Sequence, residues 1–132
     1  MSLRSFVTKS TVAVAVGATF LLSATPAQAS SGWDYVGTTA FPADGQDYSR
    51  SGQALSTGGD LQFCISTGSS KFYDYDLWEY DPSNDDDFVT SVSGAGCWIV
   101  RGIGGYVDGD NNRAEFYIGT YDSSAVAVKW YD

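Results

Sequence analysis

Leu61-Gln62-Phe63-Cys64-Ile65-Ser66 alternates apolar and polar residues, setting Leu61, Phe63 and Ile65 on one face and Gln62, Cys64 and Ser66 on the other. A period of two marks a half-buried β-strand. Val126, Val128 and Trp130 alternate in the same way against Ala125, Ala127, Lys129 and Tyr131. Between these two stretches, 72–80, 88–92, 97–103 and 114–120 are short runs rich in β-branched and aromatic residues. The segments that separate the runs, 57–60, 81–84, 93–96, 108–112 and 121–124, are rich in Gly, Asp, Asn, Ser and Pro and have turn chemistry. This spacing predicts an all-β chain, a small antiparallel β-sandwich of jelly-roll-like kind or a barrel. The last three runs are expected to form a meander closed by the Asp108 loop and the Asp122 turn. Upstream, 30–57 offers one apolar patch, Trp33 to Ala40, before Pro42, Gly45 and Gly52, and reads as an edge strand followed by a long loop.

Residues 1–29 read differently. Arg4 and Lys9 give a positive start, Val12 to Leu22 an apolar run, and Ala27-Gln28-Ala29 the small-x-small form cut by signal peptidase. The run is about half the roughly 20 residues that a membrane-spanning helix needs. A secretion signal over 1–29 and a single domain over 30–132 are therefore expected, with the mature protein secreted and extracellular.

The signal removes two of seven basic residues and none of sixteen acidic ones, so the mature domain carries a net charge of −11. Such a surface repels phosphate backbones and anionic lipid, which argues against nucleic-acid and membrane partners. Cys64 and Cys97 are the two cysteines of the chain. In an exported protein they predict a disulfide closing a loop of about 34 residues, and the chain-entropy model assigns such a loop roughly 3 to 4 kcal/mol. Parity puts both away from the apolar faces, so the bond should tie two strands together on an outer face or an edge.

The chain has no histidine. That removes Ser-His and Cys-His nucleophiles, His-ligated zinc and the usual base near neutral pH. Carboxylates remain, Glu79 or Glu115 with an aspartate, but a domain of this size offers little room for a deep substrate cleft. A non-catalytic protein is expected.

Two acidic stretches suit calcium, which takes hard oxygen ligands. Asp74, Asp76, Asp85 and Asp87 are the candidate ligands in the first. The second, 108–112, begins like an EF-hand, but Arg113 and Gly119 stand where that loop needs Gly and Glu, and it reads as a turn. Eighteen of the 103 mature residues are aromatic. In 72–80 one face carries Tyr73, Tyr75, Leu77 and Glu79 and the other Phe72, Asp74, Asp76, Trp78 and Tyr80, and both cannot be core. Tyr73, Tyr75, Trp78 and Tyr80 are the candidate ligand-binding residues, since exposed Tyr and Trp give stacking area and a polar tip together. Tyr106, Tyr117, Tyr121 and Tyr131 are candidates to extend that surface.

The stretches Gly59-Asp60-Leu61-Gln62-Phe63-Cys64-Ile65-Ser66 and Asp74-Tyr75-Asp76-Leu77-Trp78-Glu79-Tyr80-Asp81-Pro82 resemble the G-x-L-x-x-x-I-S and D-x-D-L-Y-V-x-D-P patterns of bacterial pre-peptidase C-terminal domains. The resemblance implies a secreted jelly-roll sandwich of the kind appended to exported hydrolases, with calcium at an acidic pair that falls on Asp74 and Asp76. This chain departs from that pattern in carrying a cysteine pair. Residues and resemblance together lead to an extracellular binding module for a polymer or cell-surface glycan, with calcium as a candidate cofactor. The alternative is an inhibitor or antagonist of another secreted protein such as a protease, with 81–87 or 44–52 as its contact loop.

Overall fold

The apolar face of Leu61, Phe63 and Ile65 needs a second apolar layer to bury it, and a second sheet supplies it. The structure is a computed structural model that describes residues 32–108 and 111–132. The expected signal at 1–29 lies outside the described residues. The strands are β1 (Tyr35–Ala40), β2 (Ser49–Arg50), β3 (Ala54–Ser56), β4 (Leu61–Thr67), β5 (Asp74–Glu79), β6 (Asp87–Ser93), β7 (Gly96–Val100), β8 (Ala114–Thr120) and β9 (Ala125–Tyr131), with a 3-10 turn at Ile103–Tyr106.

One sheet has the order β1-β9-β4-β7 and the other β2-β8-β5-β6, with β3 also pairing β8, and the pairings are antiparallel. The fold is therefore a sandwich. Leu61, Phe63 and Ile65 of β4 and Val128 and Trp130 of β9 face inward from the first sheet, and Tyr75 and Leu77 of β5 with Phe116 and Ile118 of β8 from the second. Phe63 and Trp130 touch at 5.9 Å between ring centroids. Each such side chain, fully buried, adds about 1.5–3 kcal/mol.

Of the patch Trp33 to Ala40, Tyr35–Ala40 forms β1, an edge strand on β9, as its isolation in the sequence implies. The long loop after it is not all loop. Ser49 and Arg50 pair with Thr120 and Gly119, and Ala54 to Ser56 pair with Phe116 to Ala114, so β2 and β3 act as one interrupted strand along β8.

The expected meander of the last three strands is overturned. β8 lies in the second sheet, whereas β7 and β9 lie in the first with β4 between them. Asp122 explains why its turn crosses between sheets instead of closing a hairpin. Its buried carboxylate accepts the Thr67 hydroxyl from β4, the Tyr75 hydroxyl from β5 and the Ser124 amide. These partners come from both sheets, and together they pin the crossing point.

Cys64 and Cys97 lie directly opposite each other in the β4–β7 ladder and are joined, with Cα atoms 3.9 Å apart. The bond lies on the outer face of the first sheet and fastens its edge strand, as parity requires.

Candidate functional site

Strand β5 divides as its alternation predicts, and burial decides which face is wet. Tyr75, Leu77 and Glu79 point into the core, while Asp74, Asp76 and Trp78 point outward. Facing Trp78 across the ladders are Phe88 of β6 and Tyr117 of β8. Phe88 meets the indole edge-on at 5.4 Å and is 53% exposed.

The centre of this outer face is supplied by the segment before β2. Tyr48 lies over Gly119, where a side chain would collide with its ring and hydroxyl. From there the Tyr48 hydroxyl donates to Asp76 Oδ2 at 2.9 Å and accepts from Trp78 Nε1 at 3.1 Å. Burial, and then the bond to Asp76, push the Tyr48 phenol up to about 12 against the opposing pull of the indole donor, so it stays a neutral donor. Tyr121 packs edge-on against Tyr48 at 4.8 Å. Beside them, Arg50 stands 5.5 Å above the Tyr117 ring, whose hydroxyl donates to Asp86 at 2.6 Å. Burial and this bond raise the Tyr117 phenol as well. The Arg50–Asp86 ion pair is 3.8 Å long with an exposed Arg50, so it adds little.

Two shallow clefts flank the aromatic centre. One, of about 350 Å³, is bounded by Arg50, Trp78, Asn84, Asp85, Asp86 and Tyr117. The other, of about 390 Å³, is bounded by Phe72, Tyr73, Asp74, Asp76 and Tyr121. Rings held in place by hydrogen bonds thus stand beside carboxylates at the rims of the clefts, so that stacking area and polar edges lie together.

The four candidate binding aromatics do not act together. Trp78 belongs to this face, and Tyr80 lies just beyond the end of β5 at 37% exposed. Tyr73 is half-buried against the core. Tyr75 is corrected outright: it is 1% exposed and gives its hydroxyl to Asp122, because its parity places it with Leu77. Of the further tyrosines, Tyr117 and Tyr121 join the face, Tyr106 packs against Phe116, and Tyr131 pairs with Tyr35 on the first sheet.

The four candidate calcium ligands are not brought together either. Asp74 accepts from Ser93 and Asp76 from Ser91 and Tyr48, while Asp87 pairs with Glu79 at the far end of β5 and Asp85 lies in the loop beyond it. Among the described residues no three acidic, cysteine or histidine side chains form a group able to hold a metal ion.

Both candidate protein-contact loops are fastened down. Tyr48 and Arg50 anchor 44–52, and 81–87 is tied by Asp81, which accepts from Ser83 and Asn84, and by Asp86. Tyr48 and Arg50 carry no signal in the sequence beyond their place in the 44–52 loop, and Phe88 none beyond its strand run. An isolated glycine inside a strand signals a close approach, and Gly119 was that signal.

Residues 35–130 match the family model described as the YndA coiled coil domain. The chain belongs to that family. It is 37% identical over 103 residues to the uncharacterized protein YndA of Bacillus subtilis (strain 168), covering 76% of this chain and 74% of that one. No solved structure is a significant match. The matched residues are strands and turns here, without an α-helix among those described, so the coiled-coil label does not describe their fold. The comparisons show no likeness to the pre-peptidase C-terminal domains; Asp74 and Asp76, the acidic pair of that resemblance, accept hydrogen bonds from Ser93 and Ser91.

Proposed function

We propose that this YndA-family chain is an exported, non-catalytic module that binds a polysaccharide across the outer face of its second sheet. The observation that carries the reading is the ring set Tyr48, Trp78 and Phe88, partly exposed in a row and flanked by two clefts. Trp78 is oriented by its bond to Tyr48 and its edge contact with Phe88, so little ordering entropy is lost when a sugar stacks there. The acidic rim and the net charge of −11 that residues 30–132 carry favour a neutral or amine-bearing polymer over a polyanion. The apolar run and Ala27-Gln28-Ala29 support export, and the disulfide agrees with it.

Depletion of the mature protein from solution by cellulose, chitin and peptidoglycan tests this, beside inhibition assays on secreted proteases. Retention by at least one polymer is expected. Trp78→Ala should weaken it about tenfold or more, as for an aromatic anchor. Ile99→Ala, on the outer face of the other sheet, should not. Retention by none of them, with a protease inhibited, contradicts the reading.

A further inference from the structure

Phe72, 89% exposed, and Tyr121, 68% exposed, are the two most exposed large apolar side chains among the described residues, and both line the same cleft of about 390 Å³. Exposed apolar area gathered in one place marks a binding surface, where single exposed side chains do not. Both rings are held. Phe72 lies against the turn before β7, where a Cβ at Gly94 would meet its ring at 3.2 Å, and Tyr121 packs on Tyr48, which is bonded to Trp78. The cleft therefore continues the aromatic row. Its polar wall is Asp74 and Asp76, two residues apart on the outer face of β5, so that their Cα atoms are about 7 Å apart. Ser93 donates to Asp74 Oδ1, Ser91 to Asp76 Oδ1 and Tyr48 to Asp76 Oδ2, which fixes both carboxylates and leaves each with lone pairs for a further donor. The ion pairs among the described residues, Arg50–Asp86 and Arg101–Asp60, lie elsewhere, so no cation of the described chain neutralises this pair. Calcium takes roughly six to eight oxygen ligands, and no third acidic side chain joins these two among the described residues. An ammonium group fits: N–H···O bonds of about 2.8 Å on either side bridge two carboxylates at that spacing, and ring faces beside them attract a cation.

We propose that this cleft selects a free amino sugar: the protonated amine of one unit of the polymer bridges Asp74 and Asp76, its ring lies between Phe72 and Tyr121, and the neighbouring units stack along Trp78 and Phe88. The inference rests on the polysaccharide reading of this face and names the sugar which that reading leaves open. N-acetylation takes away the charge and two of the three N–H donors of the ammonium and adds bulk at the same atom. The acetylated unit therefore forfeits the charge-assisted bonds to both aspartates, and the cleft discriminates between two polymers of otherwise equal shape. A deacetylated amino-sugar polymer is the ligand class that follows.

The test is calorimetric titration with soluble glucosamine and N-acetylglucosamine oligomers of equal length, at a pH where the free amine is protonated. Wild type should bind the glucosamine oligomer about tenfold more tightly or better. Asp74→Asn/Asp76→Asn should erase that preference, Trp78→Ala should weaken both oligomers, and Asp34→Asn/Asp44→Asn, which removes the same charge away from the cleft, should keep the preference. Equal binding of the two oligomers, or a preference that survives in Asp74→Asn/Asp76→Asn, overturns the amine assignment and leaves polysaccharide binding standing. A preference lost equally in Asp34→Asn/Asp44→Asn overturns it too, because net charge alone would then explain it. So does tighter binding of an oligolysine of equal charge that is lost in Asp74→Asn/Asp76→Asn, which would make the ligand a basic peptide. Binding of neither oligomer, by a protein that cellulose and peptidoglycan also fail to retain, overturns the polysaccharide reading together with the inference. If Asp74→Asn/Asp76→Asn does not fold, amide shifts in wild type decide: changes at 72–76 and 121 with the glucosamine oligomer and not with its N-acetylated form support the cleft, and the same changes with both overturn it.

Discussion

Tyr48 lies across Gly119, and the missing side chain at that position is what lets it lie there. The ring comes from a segment with only two residues in strand, yet it links Asp76 to Trp78 and fixes the middle of the outer face. A glycine in a central strand weakens that strand, so its presence in β8 is explained by what rests on it.

Gly119→Ala should therefore displace Tyr48 and destabilise the domain by about 1–3 kcal/mol, the usual range for forcing atoms into a packed site. Urea denaturation of Gly119→Ala, Tyr48→Ala and the double variant checks this. The two losses should be clearly less than additive, because the second substitution removes a contact already broken.

Asp122→Asn should cost about 2–3 kcal/mol, since the buried carboxylate accepts from Thr67, Tyr75 and Ser124 and bonds to a charged group are the stronger kind. Burial alone would raise the Asp122 carboxyl, but these donors outweigh it and hold the group below its ordinary range. A lowered folded-state value means that the contribution is complete above the ordinary carboxylate pKa and lost as pH falls through the lowered one. Denaturation from neutral pH into acid should show that loss in wild type and a flatter profile in the variant.

Reduction of Cys64–Cys97 should lower stability by roughly 3–4 kcal/mol while leaving the sandwich folded. The ladder pairs on either side, Phe63 with Trp98 and Ile65 with Gly96, hold β7 on β4 without the covalent link. Urea midpoints with and without reductant, read beside near-ultraviolet circular dichroism, check both halves of this expectation.

Mass spectrometry of the protein from culture medium should find a chain beginning within a few residues of Ser30. An intact Met1 would contradict export.

The alternation of Leu61 to Ser66 and of Ala125 to Tyr131, with the turn spacing, is enough to read an antiparallel sandwich or barrel and the inward faces of those two strands, because period two is set by the strand itself. It could not say which strands neighbour each other. Among the ladders only β5–β6 joins strands adjacent in sequence, and the rest are long-range pairings that leave no local mark. Local pattern therefore suggests a meander that the sheets do not form, and β2, two residues long, carries no strand signal of its own. In β5 both faces carry aromatics, and Glu79, a carboxylate on the buried face, masked the distinction that placed Tyr75 inside. The outward position of Trp78 is legible from its parity with Asp74 and Asp76. The positions of Tyr48 and Arg50 are not, because a distant segment brings them onto the face.

The most direct test of polysaccharide binding at this face is a residue-level map of amide shifts as soluble oligosaccharide fragments of a retained polymer are added. The account predicts perturbations at Tyr48, Asp76, Trp78, Phe88, Tyr117 and Tyr121, saturating together and absent in Trp78→Ala. Perturbations confined to the first sheet, around Tyr35, Ile99 and Tyr131, would contradict it.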